Sequence, residues 1–222
     1  LVSGVDFCGP FYTSYRIRGK PPYKTYVAIF VCFASKAIHI ELVSDLSNNC
    51  FLLCLKRFIG SRGIPQRLYC DNATNFVGAK SRLNEFKQLF FDDENTKAIM
   101  QYSEVAGFQF SFIPPRSPHF GGLWESAVKS TKTLLIKNMS NAGLTYEEFQ
   151  TILVEIEAIL NSRPLAPRSD DPNDGEALTP AHMLIGSSLL ALPDDNLEHY
   201  NNINYLKSWQ RVTYLKQQFW LQ

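Results

Sequence analysis

Three strand-like segments follow one another before Ser44, and only then does a helix interrupt them. Val2 to Val5 reads as a short apolar strand ending at Asp6, and Phe7-Cys8-Gly9-Pro10-Phe11 as a turn. Lys24 to Phe33 is dense in Tyr, Val, Ile and Phe and reads as a buried strand. Ala34-Ser35-Lys36 makes a tight turn, and Ala37 to Val43 is the third strand, the antiparallel partner of the second. Ser44 to Ser47 supplies helix caps, and Phe51, Leu52, Leu55, Phe58 and Ile59 recur at helical spacing up to Gly60. Arg62-Gly63-Ile64-Pro65 connects to a short strand, Arg67 to Cys70, with Asp71 at its end. A meander, a helix and then a strand is the order expected of a sheet whose fourth strand joins in parallel through a crossover helix.

Beyond Asp71 the pattern predicts a helix from Ala79 to about Phe91, a break at Asp92-Asp93-Glu94-Asn95, and a shorter helix toward Val105. Phe108 to Phe112 alternates and reads as a fifth strand. The expected fold class is therefore α/β, a five-stranded mixed sheet flanked by helices. A proline-broken loop, Pro114-Pro115-Arg116-Ser117-Pro118-His119, then flows through Gly121 and Gly122 into a helix reaching about Asn138. Thr145 to Leu160 is another helix: Thr145 and Glu148 have capping-box spacing, and Phe149, Ile152, Leu153, Ile156, Ile159 and Leu160 form an apolar stripe. From Pro164 to about Asn204 Pro, Asp, Asn and Ser dominate, and Tyr205 to Trp220 reads as a last helix. The expected division is a core over residues 1–165, an extended linker over 166–204, and a helix over 205–222 leading to a further domain.

Hydrophobic residues make up 45% of the chain, enough for a sizeable core. The net charge of +1 excludes a protein that binds nucleic acid by overall charge, so any such binding needs local patches, metal ions or further domains. Five cysteines sit mostly in apolar runs and read as buried, reduced thiols of an intracellular protein. Cys50 and Cys54 have no His or Cys pair nearby to complete a zinc site and read as neighbours on one helix face. No apolar run is long enough to span a membrane, and no signal peptide is visible. The chain opens at Leu1 directly on an apolar run, which reads as a piece of a longer polypeptide.

Asp6 and Asp71 each follow an apolar strand, and ligands of open α/β sheets gather outside the carboxyl ends of strands. Glu125, near the start of a helix, can join them. One strand-end Asp alone is more often a turn cap, and Glu125 alone could be an acid favoured by the helix dipole. Jointly, three carboxylates without His or Cys select hard cations, Mg²⁺ or Mn²⁺. Two such ions can clamp the attacking and leaving oxygens of a phosphoryl transfer.

Val5-Asp6-Phe7, Cys70-Asp71-Asn72-Ala73-Thr74-Asn75-Phe76 and Ser117-Pro118-His119-Phe120-Gly121-Gly122-Leu123-Trp124-Glu125 resemble the three acidic motifs of retroviral and LTR-retrotransposon integrases. Those are polynucleotidyl transferases with a ribonuclease H-like fold. Arg62-Gly63-Ile64-Pro65 and Leu160-Asn161-Ser162-Arg163-Pro164-Leu165 are similar to flanking segments of the same family, so the resemblance covers about Leu1 to Leu165. Leu178-Thr179-Pro180-Ala181-His182-Met183-Leu184-Ile185-Gly186 and the last helix look like the downstream part of the BEL/Pao retrotransposon group. The resemblance implies that Asp6, Asp71 and Glu125 are catalytic and hold two Mg²⁺ (or Mn²⁺) ions, Asp6 bridging both. It implies 3′-end cleavage of element DNA and transfer of the new 3′-hydroxyl into target DNA. It further implies a homo-oligomer on double-stranded DNA, an amino-terminal zinc module and a carboxy-terminal domain of the same polyprotein, and a place in virus-like particles and the nucleus. The chain departs from the pattern in the length of residues 72–124 between the second and third acids, and in Ala73 where many members have Gly.

Lys129 and Lys132 follow Glu125 by four and seven residues, roughly 40° and 20° from it around a helix at about 100° per residue. Both are candidates to hold phosphates beside the acids, against the alternative of a solvated charged face. Arg116 and His119 in the loop, and Asn72 and Asn75 beside Asp71, are further candidate DNA contacts; the asparagines serve equally as turn formers. Three other readings stand beside an integrase: a ribonuclease H-like nuclease or transposase, a domesticated or inactive copy that only binds DNA or protein, and a carboxylate-pair hydrolase acting on sugars. Lys129 and Lys132 speak against the last.

Overall fold

The computed structural model describes residues 1–17, 19–70, 93–112, 128–129, 131–133, 135–136, 139, 143–165, 177–189, 196–197 and 206–221. Its centre is a five-stranded sheet of β1 (Val2–Thr13), β2 (Tyr23–Cys32), β3 (Ile38–Val43), β4 (Arg67–Cys70) and β5 (Gln109–Phe112) in the order β3-β2-β1-β4-β5. β1 pairs antiparallel with β2, and β2 with β3; β4 runs parallel to both β1 and β5. The sheet is thus mixed, and its parallel half is reached through α1 (Asn48–Arg62) and α2 (Asp93–Ala106).

Strand β2 explains why the sheet is covered on both faces. Val27, Ile29 and Val31 face one core, while Tyr26, Ala28 and Phe30 face the other. A side-chain period of two puts a continuous apolar run on both sides of a strand, which then needs two helical layers. On one face lie α1, through Phe51, Cys54, Leu55 and Phe58, and α2, through Ile99. On the other lie Val128, Leu135 and Met139, α3 (Tyr146–Asn161) and α5 (Ser208–Trp220). A short helix, α4 (Pro180–Ile185), lies between the last two in sequence.

Local chemistry sets the helix ends. Ser47 caps α1, its hydroxyl accepting the Cys50 N–H at 3.2 Å. The capping box at α3 is present: Thr145 Oγ1 accepts the Glu148 N–H, and the Glu148 carboxylate accepts the Thr145 N–H at 2.9 Å.

The first strand differs from the sequence expectation. β1 does not stop before Asp6 but continues to Thr13, so Asp6 sits within a long strand. Gly9 and Pro10 do not turn the chain. They fall where the β1–β2 register shifts between Cys8 and Phe11, a bulge that absorbs the N–H that Pro10 lacks. Only glycine suits that position: Gly9 has φ +129°, and a Cβ there would stand 3.1 Å from the Tyr26 ring and 3.2 Å from the Thr25 carbonyl. The shorter helix expected toward Val105 is α2, Asp93–Ala106; Asp92, where the expected break begins, lies outside the described residues. The last helix is present as α5 and packs on the core: Val212, Leu215 and Phe219 are buried in the same cluster as α3. The expected helix over 79–91 lies outside the described residues.

Candidate functional site

Asp6 belongs to the central strand of the sheet, one residue past the last β1–β4 pair, Val5 with Cys70. Its neighbours Val5 and Phe7 point into the α1 side, and Cys8 into the α3 side. Alternation therefore turns the Asp6 side chain toward the α3 side. There it meets the helical residues that carry Val128, Thr131, Leu135 and Met139, all buried and spaced by whole turns. Lys132 is on the same helical face, and its Nζ lies 2.5 Å from Asp6 Oδ2. Both side chains are largely buried, 16% and 14% exposed. Asp6 Oδ1 accepts the Phe7 N–H at 2.7 Å, so both carboxylate oxygens are held.

The Cys8 thiol lies beside this pair. Burial pushes it up to about 12; the Lys132 charge pulls it down and the Asp6 charge raises it. The Asp6 carboxylate presents hard oxygen donors at this point of the sheet, which suit a hard divalent ion such as Mg²⁺ or Mn²⁺. Among the described residues, no three His, Cys, Asp or Glu side chains group as a metal site.

The remaining expected site residues are placed as follows. Lys129 is exposed, whereas Lys132 is turned onto Asp6, so the two lysines do not share one environment. Asp71, Asn72, Asn75, Arg116, His119 and Glu125 lie outside the described residues, as do Gly121 and Gly122. β4 ends at Cys70, and the next residue in sequence is Asp71.

A second polar cluster is not visible from sequence spacing. His39 on β3 lies 3.0 Å from Glu41 and 3.2 Å from Glu157 of α3. Arg57 Nε donates to Glu41 at 2.6 Å, and Arg62 donates to Glu157. Burial pulls the His39 imidazole down, but hydrogen bonds and charge from Glu157 and Glu41 outweigh it and hold the ring above its ordinary value. The Ile40 N–H donates to Glu157 at 2.8 Å; Asn161 accepts the Ile38 N–H and donates to the Ile38 carbonyl, both at 2.8 Å. β3 is an edge strand, and these α3 side chains satisfy backbone groups that would otherwise lie open. The cluster ties β3 to α1 and α3.

All five cysteines are free thiols, with Cys8, Cys54 and Cys70 buried. No described helix is long and apolar enough to cross a membrane.

No family model and no curated protein matches the chain. Among solved structures it is similar to a chain in the cryo-EM structure of a simian T-cell lymphotropic virus intasome in complex with PP2A regulatory subunit B56 gamma. That similarity has a TM-score of 0.51 at 15% identity and covers 88% of this chain and 58% of that one. It is also similar to the catalytic core domain of BIV integrase, at a TM-score of 0.47 and 16% identity, over 83% of this chain and 93% of that one. The present chain thus spans little more than half the length of the first of these. At such identities the likeness is one of fold: a ribonuclease H-like, five-stranded mixed sheet with helices on both faces.

Proposed function

We propose that this chain is the catalytic core of an LTR-retrotransposon integrase of D,D,E type. On this reading it cuts element DNA near its 3′ end and transfers the new 3′-hydroxyl into target DNA. The observation that carries the reading is the register of the two parallel strands. Val5 and Cys70 are the last paired residues of β1 and β4, and the next residues in sequence are Asp6 and Asp71. An acid following in sequence the last paired residue of each of two adjacent parallel strands is a pattern suited to phosphoryl chemistry.

Asp6, Asp71 and Glu125 would hold two Mg²⁺ or Mn²⁺ ions, which when bound make water or a 3′-hydroxyl nucleophilic at neutral pH and neutralise phosphate charge. The chain's own residues do the rest. The Phe7 N–H fixes one Asp6 oxygen, and Lys132 balances the charge of the other. Lys132 lies seven residues after Glu125, so its ammonium is also in register to take a phosphate beside the acids. Lys129, exposed one turn earlier, offers a second cation to the DNA backbone. Arg116, His119, Asn72 and Asn75 would add contacts to the DNA. Each step exchanges one phosphodiester oxygen for another or for water, so no external energy source is needed.

The element would be of the BEL/Pao group, on the strength of the Leu178 to Gly186 motif. The protein would act as a homo-oligomer on double-stranded DNA, with other domains of its polyprotein, in virus-like particles and the nucleus. The test is joining of a duplex with a free 3′-hydroxyl to a plasmid in Mg²⁺ or Mn²⁺. Asp6→Asn, Asp71→Asn and Glu125→Gln should each abolish joining while leaving the thermal unfolding transition cooperative. Joining by any of the three at the parent's rate would overturn the assignment.

A further inference from the structure

The β1–β2 ribbon outruns the rest of the sheet. β4 stops pairing at Val5, and β3 stops at Tyr26, yet β1 and β2 stay paired through Phe11 with Thr25, Tyr12 with Lys24 and Thr13 with Tyr23. From Asp6 to Thr13 the ribbon extends roughly 25 Å at about 3.3 Å per residue, toward the end of the sheet at which Asp6 lies. It is well anchored. Phe11 is buried against Phe149 with ring centroids 5.2 Å apart, Thr13 and Thr25 share a buried hydrogen bond of 2.7 Å, and the Ser14 N–H donates to the Leu144 carbonyl at 2.7 Å.

Its solvent side is basic and aromatic. Between Tyr15 and Lys24 the sequence carries four cations and no acid, in a chain whose net charge is only +1. Tyr12 is 53% exposed and faces the same side as its cross-strand partner Lys24, also exposed. At the tip, Lys20 Nζ sits 3.7 Å over the Tyr15 ring, and Tyr15 packs at 4.5 Å on Tyr23. Arg16 lies 3.9 Å from Glu147, in a pair so exposed that it neutralises little.

We propose that this ribbon is a seat for the sugar-phosphate backbone of duplex DNA lying beyond the Asp6 site, the identity of the polymer resting on the function proposed above. Arg16, Lys20 and Lys24 would take phosphates, and the Tyr12 and Tyr15 hydroxyls would donate to phosphate oxygens. The ribbon is long enough to follow about seven base pairs at 3.4 Å each. An anionic lipid surface would call for a larger apolar wedge than Ile17 at the tip.

The test is duplex binding by fluorescence anisotropy in EDTA, between 50 and 200 mM salt, which makes the result independent of any metal-dependent reaction. Arg16→Ala/Lys20→Ala/Lys24→Ala should weaken binding at least about tenfold at low salt and lower the salt slope by about 2–3, near 0.9 per lost phosphate contact. Lys56→Ala/Lys97→Ala/Lys207→Ala removes the same charge elsewhere and should leave the slope unchanged. The ribbon assignment is overturned by an unchanged slope in the first variant, by an equal fall in the second, by no duplex binding in the parent, or by tighter binding to phosphatidylserine vesicles than to duplex. Failure of the activity itself is read separately, in joining by Asp6→Asn.

Discussion

Lys132 reaches across from the helical layer to set its ammonium 2.5 Å from a carboxylate oxygen of Asp6, in the middle strand of the sheet. The contact joins residues remote in sequence and ties the proposed catalytic acid to the helix that follows Glu125. Because both side chains are largely buried, it differs from the surface ion pairs that contribute little to stability.

Breaking that pair from one side should cost more than removing it whole. Lys132→Met leaves the largely buried Asp6 charge without this cation and should destabilise by about 1–3 kcal/mol. Asp6→Asn/Lys132→Met should recover part of that loss. Urea unfolding of the two single variants and the double gives the coupling, expected at about 1–2 kcal/mol. A coupling below about 0.3 kcal/mol would mean that the contact does not hold in solution.

Asn161 closes the open edge of β3 with two hydrogen bonds to Ile38. Asn161→Ala leaves one buried N–H and one buried carbonyl unpaired, at about 1–3 kcal/mol for each. A fall of about 2–4 kcal/mol in unfolding free energy is expected. A change under about 0.5 kcal/mol would show that water or another side chain replaces the cap.

His39 makes stability fall as pH rises. Its folded pKa lies above its ordinary value of about 6.5. The folded protein therefore binds this proton more tightly than the unfolded chain does. The stabilisation is complete below about pH 6.5 and is lost as pH climbs through the folded value. The groups facing the ring are Glu41 from its own strand, Glu157 from α3, and the rings of Phe30 and Phe58, with Arg57 and Arg62 behind the two acids. Urea midpoints measured from pH 6 to 9 should decline in the parent and flatten in His39→Gln. A parent profile as flat as the variant's would contradict the cluster's role.

Much of the fold was legible from the chain itself. β2 declared itself by an apolar run too dense for a half-exposed strand, and α3 by Thr145, Glu148 and a clean stripe. What could not be read was decided by contacts between distant residues. Gly9-Pro10 carries a strong local turn signal, yet pairing with β2 holds the strand straight through a bulge. Ser208 to Trp220 reads as a helix in sequence, but nothing in it says that Val212, Leu215 and Phe219 pack in the same cluster as α3. The acid at position 6 and the lysine at 132 were both singled out by type and spacing. That they would meet each other was not, because helical register fixes the face of Lys132 but not which strand residue lies opposite it. The cluster around His39 left no sequence signal, since its members come from β3, α1 and α3.

The central claim is that Asp6, Asp71 and Glu125 share one metal site. Anomalous diffraction from crystals soaked in Mn²⁺ tests it directly. The account predicts a peak at about 2.0–2.2 Å from an Asp6 carboxylate oxygen, with oxygens of Asp71 and Glu125 completing the protein ligands of that ion or its neighbour. A peak bound elsewhere, or one at Asp6 that neither Asp71 nor Glu125 touches, would contradict it.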